Sequence, residues 1–175
     1  MRADEPLRSK ELPMDYAPFY PRFPHIGANE TRVLTILEGS SVNLPPGEYG
    51  LLDFYCTTFN CNCRRTFLNV VAKKTNKIQA VIAFGWESRD FYIRWFGSDD
   101  PETIDDLKGP ALAAGHPQSA IAHQLLELVT ELVLSDQAYV ERLKRHYQMF
   151  KASLPVPSPR ARPPLQKRGK DKAEK

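Results

Sequence analysis

All three cysteines of the 175-residue chain, Cys56, Cys61 and Cys63, fall in one short stretch. Thiolates are soft, negatively charged ligands that suit zinc. The C-x4-C step leaves room for a loop to wrap around an ion, and the C-x-C step places two side chains on one face of an extended chain. The spacing therefore predicts a zinc site formed by these three side chains.

A structural zinc site takes four ligands, so the motif lacks one. Of the four histidines in the chain, we expect His25 to complete the site, because it ends a proline- and aromatic-rich segment that needs an anchor. His116 is the second candidate. A water molecule is the third, and it would leave a coordination position open for hydrolytic chemistry. Arg64 and Arg65, which follow the last cysteine, would offset part of the thiolate charge or bind an anion.

Three other interpretations of the cysteines stay open. The thiols could be inert, packed side chains, or Cys61 and Cys63 could form a redox pair. An iron–sulfur site is the last alternative, although the chain has no fourth cysteine to complete it.

The string Tyr55-Cys56-x4-Cys61-x-Cys63-Arg64-Arg65, together with GANETRVL at 27–34, resembles an uncharacterised bacterial protein family with a C-x4-C-x-C-R-R core. The similarity extends from about Tyr16 to Phe150. The family often has Asp where this chain has Asn62. The resemblance implies no activity.

Composition bounds the class of protein. Hydrophobic residues make up 42% of the chain and charged residues 26%, which are ordinary values for a globular domain. No apolar run approaches the ~20 residues of a membrane span, and no apolar stretch follows the first residues as in a signal peptide. We therefore expect a cytoplasmic protein without membrane contact, in which the thiols stay reduced.

The elements that must position the cysteines are strands first and helices second. Residues 31–37, 49–56, 66–73 and 77–84 are rich in β-branched and aromatic residues and predict four strands, the last two joined as a hairpin. Ser88, Asp100, Ser119 and Ser135 predict helix starts. This order indicates an α+β fold, with a small antiparallel sheet followed by C-terminal helices and a cysteine-rich metal-binding turn.

Proline and charge mark the ends of the domain. We expect residues 1–15 to be disordered, 16–150 to form a single α+β domain and 151–175 to be a disordered basic, proline-rich tail. The five prolines from Pro6 to Pro24 predict that the first part of the domain, at 16–24, is an extended arm without regular structure. The tail carries a net charge of +6 and the rest of the chain −3.

These features together predict a zinc-stabilised interaction module that binds an unknown protein partner and has no catalytic activity. The basic tail, with Arg64 and Arg65, supports an alternative in which the protein associates with nucleic acid. A metal- or thiol-dependent enzyme is the other alternative, and it would need an open coordination position or a thiol of depressed pKa.

Overall fold

The computed structural model describes residues 15–156. The predicted fold class is confirmed, because this part of the chain forms one antiparallel sheet accompanied by helices. The disorder predicted for the N-terminus and for most of the basic tail concerns residues outside this range. No helix between residues 15 and 156 is both long enough and apolar enough to cross a membrane.

The sheet has six strands, all in antiparallel pairs. They are β1 (Tyr16–Pro18), β2 (Arg32–Ile36), β3 (Gly47–Cys56), β4 (Arg65–Ala72), β5 (Lys77–Gly85) and β6 (Ala111–Leu112). Strand β4 occupies one edge of β3, so β1 and β2 share the other edge, one beyond the other along the strand. The four predicted strands are confirmed as β2 to β5.

The helices supply the other half of the core. They are α1 (Pro24–Glu30), α2 (Arg89–Phe96), α3 (Pro101–Lys108), α4 (Ala122–Val129) and α5 (Gln137–Ala152), with a π-helical segment at Thr130–Leu134. Side chains from the sheet and from α4 and α5 form the largest apolar cluster; among its members, each at most 1% exposed, are Leu51, Leu68, Ile82, Leu125 and Leu143. Burying each contributes about 1.5–3 kcal/mol. This cluster contains no cysteine, so a substantial core forms away from the predicted metal site.

Two of the four predicted helix caps are confirmed and two are wrong. The Ser88 hydroxyl accepts a hydrogen bond from the backbone N–H of Phe91 at 3.2 Å, and the Asp100 carboxylate caps α3. The residue before α4 is Ile121, which makes no side-chain cap, so Ser119 does not cap this helix. Ser135 does not cap α5. The cap is Asp136, whose carboxylate accepts from the first turn of the helix. A carboxylate is as good a cap as a hydroxyl and also suits the positive end of the helix dipole.

The prediction that the proline-rich arm has no regular structure is wrong. Strand β1 lies at an edge of the sheet, where Pro18 can pair without weakening an interior ladder. Helix α1 begins at Pro24, and a proline is tolerated in the first turn because the missing N–H has no helical partner there.

Ordered structure also continues past the predicted domain end at 150. Helix α5 runs to Ala152, and Leu154 is 9% exposed in a cluster with Phe19, Tyr55 and Phe150. The predicted disordered tail therefore starts too early. The apolar residue Leu154 was the signal, since it can pack after the helix has ended.

A buried ionic network holds α1 and α5 on the sheet. The His146 side chain is 3% exposed; its Nδ1 lies 2.8 Å from Asp53 Oδ2 and its Nε2 lies 2.9 Å from Glu30 Oε2. A neutral imidazole has only one N–H, so both contacts are hydrogen bonds when the ring is protonated. Burial disfavours ionised Glu30, but the hydrogen bond from His146 and the nearby Arg145 and Arg142 outweigh it and lower the pKa of Glu30.

We expect His146→Gln to reduce the free energy of unfolding by about 1–3 kcal/mol at neutral pH, because the buried contacts to Asp53 and Glu30 are lost. Urea denaturation measures this value. The control is His123→Gln on the exposed face of α4, where a change of less than about 0.5 kcal/mol is expected.

The difference between wild type and His146→Gln should shrink in acid. Glu30 has a lowered pKa in the folded state, so its stabilising contribution is present above its unfolded pKa and is lost as the pH falls through the folded value. Equal stability of the two histidine variants at neutral pH would contradict the assigned role of the network.

Candidate metal centre

The structure brings the three cysteines together where β3 ends. Cys56 is the last residue of β3, and Cys61 and Cys63 lie in the loop 57–64 that leads to β4. Each Sγ atom lies within 4.8 Å of the other two. Tetrahedral zinc with Zn–S bonds of about 2.3 Å needs sulfurs about 3.8 Å apart, so a contraction of about 1 Å or less would suffice. The donor set and its spacing therefore fit a zinc ion.

Two turns of the backbone fold the loop 57–64 back on itself. Asn60 has φ 59° and Arg64 has φ 48°, both in the left-handed region. Asparagine adopts this conformation readily, whereas arginine does so at a cost of about 1–3 kcal/mol. The Tyr92 hydroxyl donates to the Arg64 carbonyl at 2.8 Å and helps to hold that turn. Tyr92 can approach because residue 85 is glycine; any side chain there would collide with the Tyr92 hydroxyl.

Helix α5 anchors the same loop through backbone carbonyls. Tyr147 Oη donates to the Cys61 carbonyl at 3.2 Å. Lys151 Nζ donates to the carbonyls of Cys56 at 3.2 Å and Thr58 at 2.7 Å. Neither Tyr147 nor Lys151 was predicted to belong to the site. The one local feature that pointed to them was their position on the C-terminal helix. These contacts connect the cysteine loop to the main body of the protein.

Hydrogen bonding inside the cluster polarises the thiols before any metal binds. The Cys63 thiol donates to Cys56, which holds the pKa of Cys56 well below its ordinary value against the opposing effect of burial. The backbone N–H of Thr58 also donates to Cys56 Sγ, at 3.4 Å. Donation to Cys56 and burial raise the pKa of Cys63, and burial raises that of Cys61. One thiolate is thus already favoured at the site.

Tyr16 lies beside the cluster on strand β1, opposite Cys56 in the strand register. Its hydroxyl is buried and makes no hydrogen bond of good geometry. Burial raises the pKa of Tyr16, as does the proximity of Cys63, while Arg65 acts in the opposite direction. No local pattern pointed to Tyr16 as a neighbour of the cysteines, because 40 positions separate it from its strand partner Cys56.

The two arginines after the motif have different surroundings. Arg64 forms an ion pair with Glu87 at 3.0 Å and is half-exposed. Arg65 is 5% exposed, stacks on Phe67 at 5.2 Å and donates to the backbone carbonyl of Asp106 at 3.3 Å. Its Nε has no partner, and no carboxylate in residues 15–156 pairs with its charge. Arg65 is therefore a buried cation whose charge no carboxylate among the described residues balances.

None of the four histidines belongs to the group of side chains that could share an ion with the cysteines, within the described range. His25 is exposed on α1, His116 packs against Phe67 at a ring distance of 4.9 Å, and His123 is exposed on α4. His146 uses both ring nitrogens in the ionic network. The structure thus brings Cys56, Cys61 and Cys63 together without His25.

We expect one thiolate of the metal-free protein to persist below the ordinary cysteine pKa of about 8.5, because Cys63 donates to Cys56. A pH titration of the ultraviolet absorbance of the thiolates measures it. Cys63→Ala should move this titration toward higher pH, whereas Cys61→Ala should move it less. If Cys63→Ala leaves the lowest titration unchanged, the assigned hydrogen bond is absent in solution.

No family model, curated protein or solved structure matches this chain. The resemblance of its cysteine-arginine string to a bacterial family stays a prediction. The chemical groups of the site are three sulfurs, a buried hydroxyl, a buried guanidinium and an ammonium group.

Proposed function

We propose that this protein is a zinc-stabilised interaction module without catalytic activity, in which Cys56, Cys61 and Cys63 bind the ion. The observation that carries the proposal is the approach of the three sulfurs to within 4.8 Å of one another. Three thiols within eight residues, with their sulfurs close together, match the ligand chemistry of zinc.

The ion would act as a crosslink between elements. It would join the end of β3 to the loop 57–64, which α5 contacts through Tyr147 and Lys151. Zinc-finger peptides gain about 10–16 kcal/mol from structural zinc and unfold without it. This protein has a separate apolar core between the sheet and α4 and α5, so we expect the metal-free chain to stay folded with a loosened cysteine loop.

The groups around the sulfurs favour a binding role over a catalytic one. Three polar side chains near the sulfurs, those of Tyr147, Lys151 and Tyr92, hold backbone carbonyls of the segment that carries the cysteines. The same loop presents Phe59, which is 38% exposed, and Tyr20, in the middle of the arm at 16–24, is 42% exposed. Exposed aromatic side chains beside a fixed loop are typical of protein contact surfaces.

Elemental analysis of protein purified without chelator should find close to one equivalent of zinc. A strong chelator should lower the melting temperature by about 5 °C or more, because it removes a ligand that binds only the folded state. Cys61→Ser should bind less zinc and respond less to the chelator. Asn62→Ser is the matched control, since it alters the same loop and keeps all three thiols.

Zinc content below about 0.2 equivalents, combined with a melting temperature that the chelator leaves unchanged, would refute the proposed site. Equal zinc content and an equal response to the chelator in wild type and in Cys61→Ser would also refute the proposed site. Retention of zinc by Asn62→Ser shows that a loss in Cys61→Ser reports the missing thiol rather than a damaged loop.

Nucleic-acid association is the second candidate, favoured by the net charge of +5 on residues 157–175. Because Leu154 belongs to a packed cluster, the informative truncation ends at Val156. Full-length protein should bind nucleic acid with an affinity that falls steeply with salt, and the truncated protein should not bind. Undiminished binding by the truncated protein would reject the tail mechanism.

A further inference from the structure

Within residues 15–156, only three cysteine or histidine donors come together, those of Cys56, Cys61 and Cys63. All cysteines and histidines of the printed sequence lie within this range. The four histidines stay outside the cysteine group. Zinc sites with three protein ligands keep a fourth position for a water molecule or another exogenous ligand. The count of donors therefore points to a coordination position that the protein does not fill with its own sulfur or nitrogen.

The approach to that position lies on the Cys61 side. Cys56 and Cys63 are fully buried, whereas Cys61 is partly exposed. A surface pocket of about 390 Å³ is lined by Cys61 together with Phe59, Tyr147, Lys151 and Leu154. The amide side chains of Asn60, Asn62 and Gln148 complete the lining, and Lys151 supplies its one charged group. A small ligand with an apolar body and a negative end would suit this lining.

The charges around the centre favour an anion. A zinc ion with three thiolates carries a net charge of −1. Arg65 is buried without a carboxylate partner, and Lys151 donates to two carbonyl oxygens, so together they contribute +2. The charge of Arg64 is already matched by Glu87. A buried cation is costly unless it is compensated, and a monoanionic fourth ligand would bring the sum to zero.

We propose that the ion bound by Cys56, Cys61 and Cys63 takes an exogenous thiolate as its fourth ligand, entering through the pocket beside Cys61. This inference rests on the proposed zinc site. Among monoanions, a thiolate best matches the softness of the three sulfurs already present. When it binds, a sulfur–metal bond replaces the bond to water, and the proton of the thiol passes to the solvent; no electron is transferred.

Cobalt(II) substitution tests this proposal, because the visible bands of bound cobalt report its ligands. The probe is 2-mercaptoethanol, added to the cobalt-loaded full chain, with azide as a second anion and imidazole as a neutral ligand. We expect a saturable shift of the bands at one equivalent of bound thiolate, with cobalt retained, and a weaker response to imidazole. Lys151→Gln should weaken thiolate binding by about two- to fivefold, the value of one partly exposed ion pair. Lys77→Gln, on the exposed start of β5, is the control and should not change it.

Each negative outcome has one meaning. A protein that binds no cobalt and no zinc refutes the proposed function itself. Cobalt bands that do not respond to the thiol, or loss of cobalt without a shifted spectrum, overturn the open position while leaving the metal site intact. A Tyr16→Phe variant whose ligand-free cobalt bands differ from wild type, and which alone responds to thiol, assigns the fourth position to the Tyr16 hydroxyl and also overturns it.

Discussion

The pairing of strand β3 with three other strands is the constraint on which the rest of the structure depends. Its ten residues align β1 and β2 along one edge and β4 along the other. Successive side chains of a strand point to opposite faces of the sheet, so Leu51, Asp53 and Tyr55 lie on the same face. The Tyr55 hydroxyl lies 2.8 Å from Asp53 Oδ2 and 3.0 Å from the Leu143 carbonyl oxygen, and these two acceptors share its single proton, which fixes α5 relative to the strand. Cys56 follows directly, so the same register sets the position of the cysteine cluster.

Helix α5 then serves two sites with consecutive residues. His146 forms the buried ionic network, while Tyr147 reaches the carbonyl of Cys61. A displacement of the helix by one turn, about 5.4 Å, would break both sets of contacts at once. The ionic network and the cysteine loop are therefore mechanically linked, although their side chains lie on different parts of the helix surface.

Local signals in the sequence accounted for much of this structure, and long-range pairing accounted for what was missed. Strands β2 to β5 follow from runs of β-branched residues, and the start of α2 follows from Ser88, whose hydroxyl caps the helix. The cysteine cluster was also predictable, because its members are close in sequence. The role of His146 was not, since its partners lie 93 and 116 positions away. The prediction of His25 as the fourth ligand assumed that its segment needs a metal as an anchor. The structure anchors that segment through β1 and the packing of Phe19 instead.

The contacts between α5 and the cysteine loop leave most of the loop free to change in evolution. Tyr147 and Lys151, one helical turn apart, bind the carbonyls of Cys61, Cys56 and Thr58 and no side chain of the loop. Every amino acid has a backbone carbonyl, so these contacts do not select for residue type. Apart from Asn60, whose left-handed backbone restricts the residue type, positions between the cysteines can thus acquire new side chains while the loop keeps its shape. The surface beside the cysteine cluster can be altered without redesigning the fold that supports it.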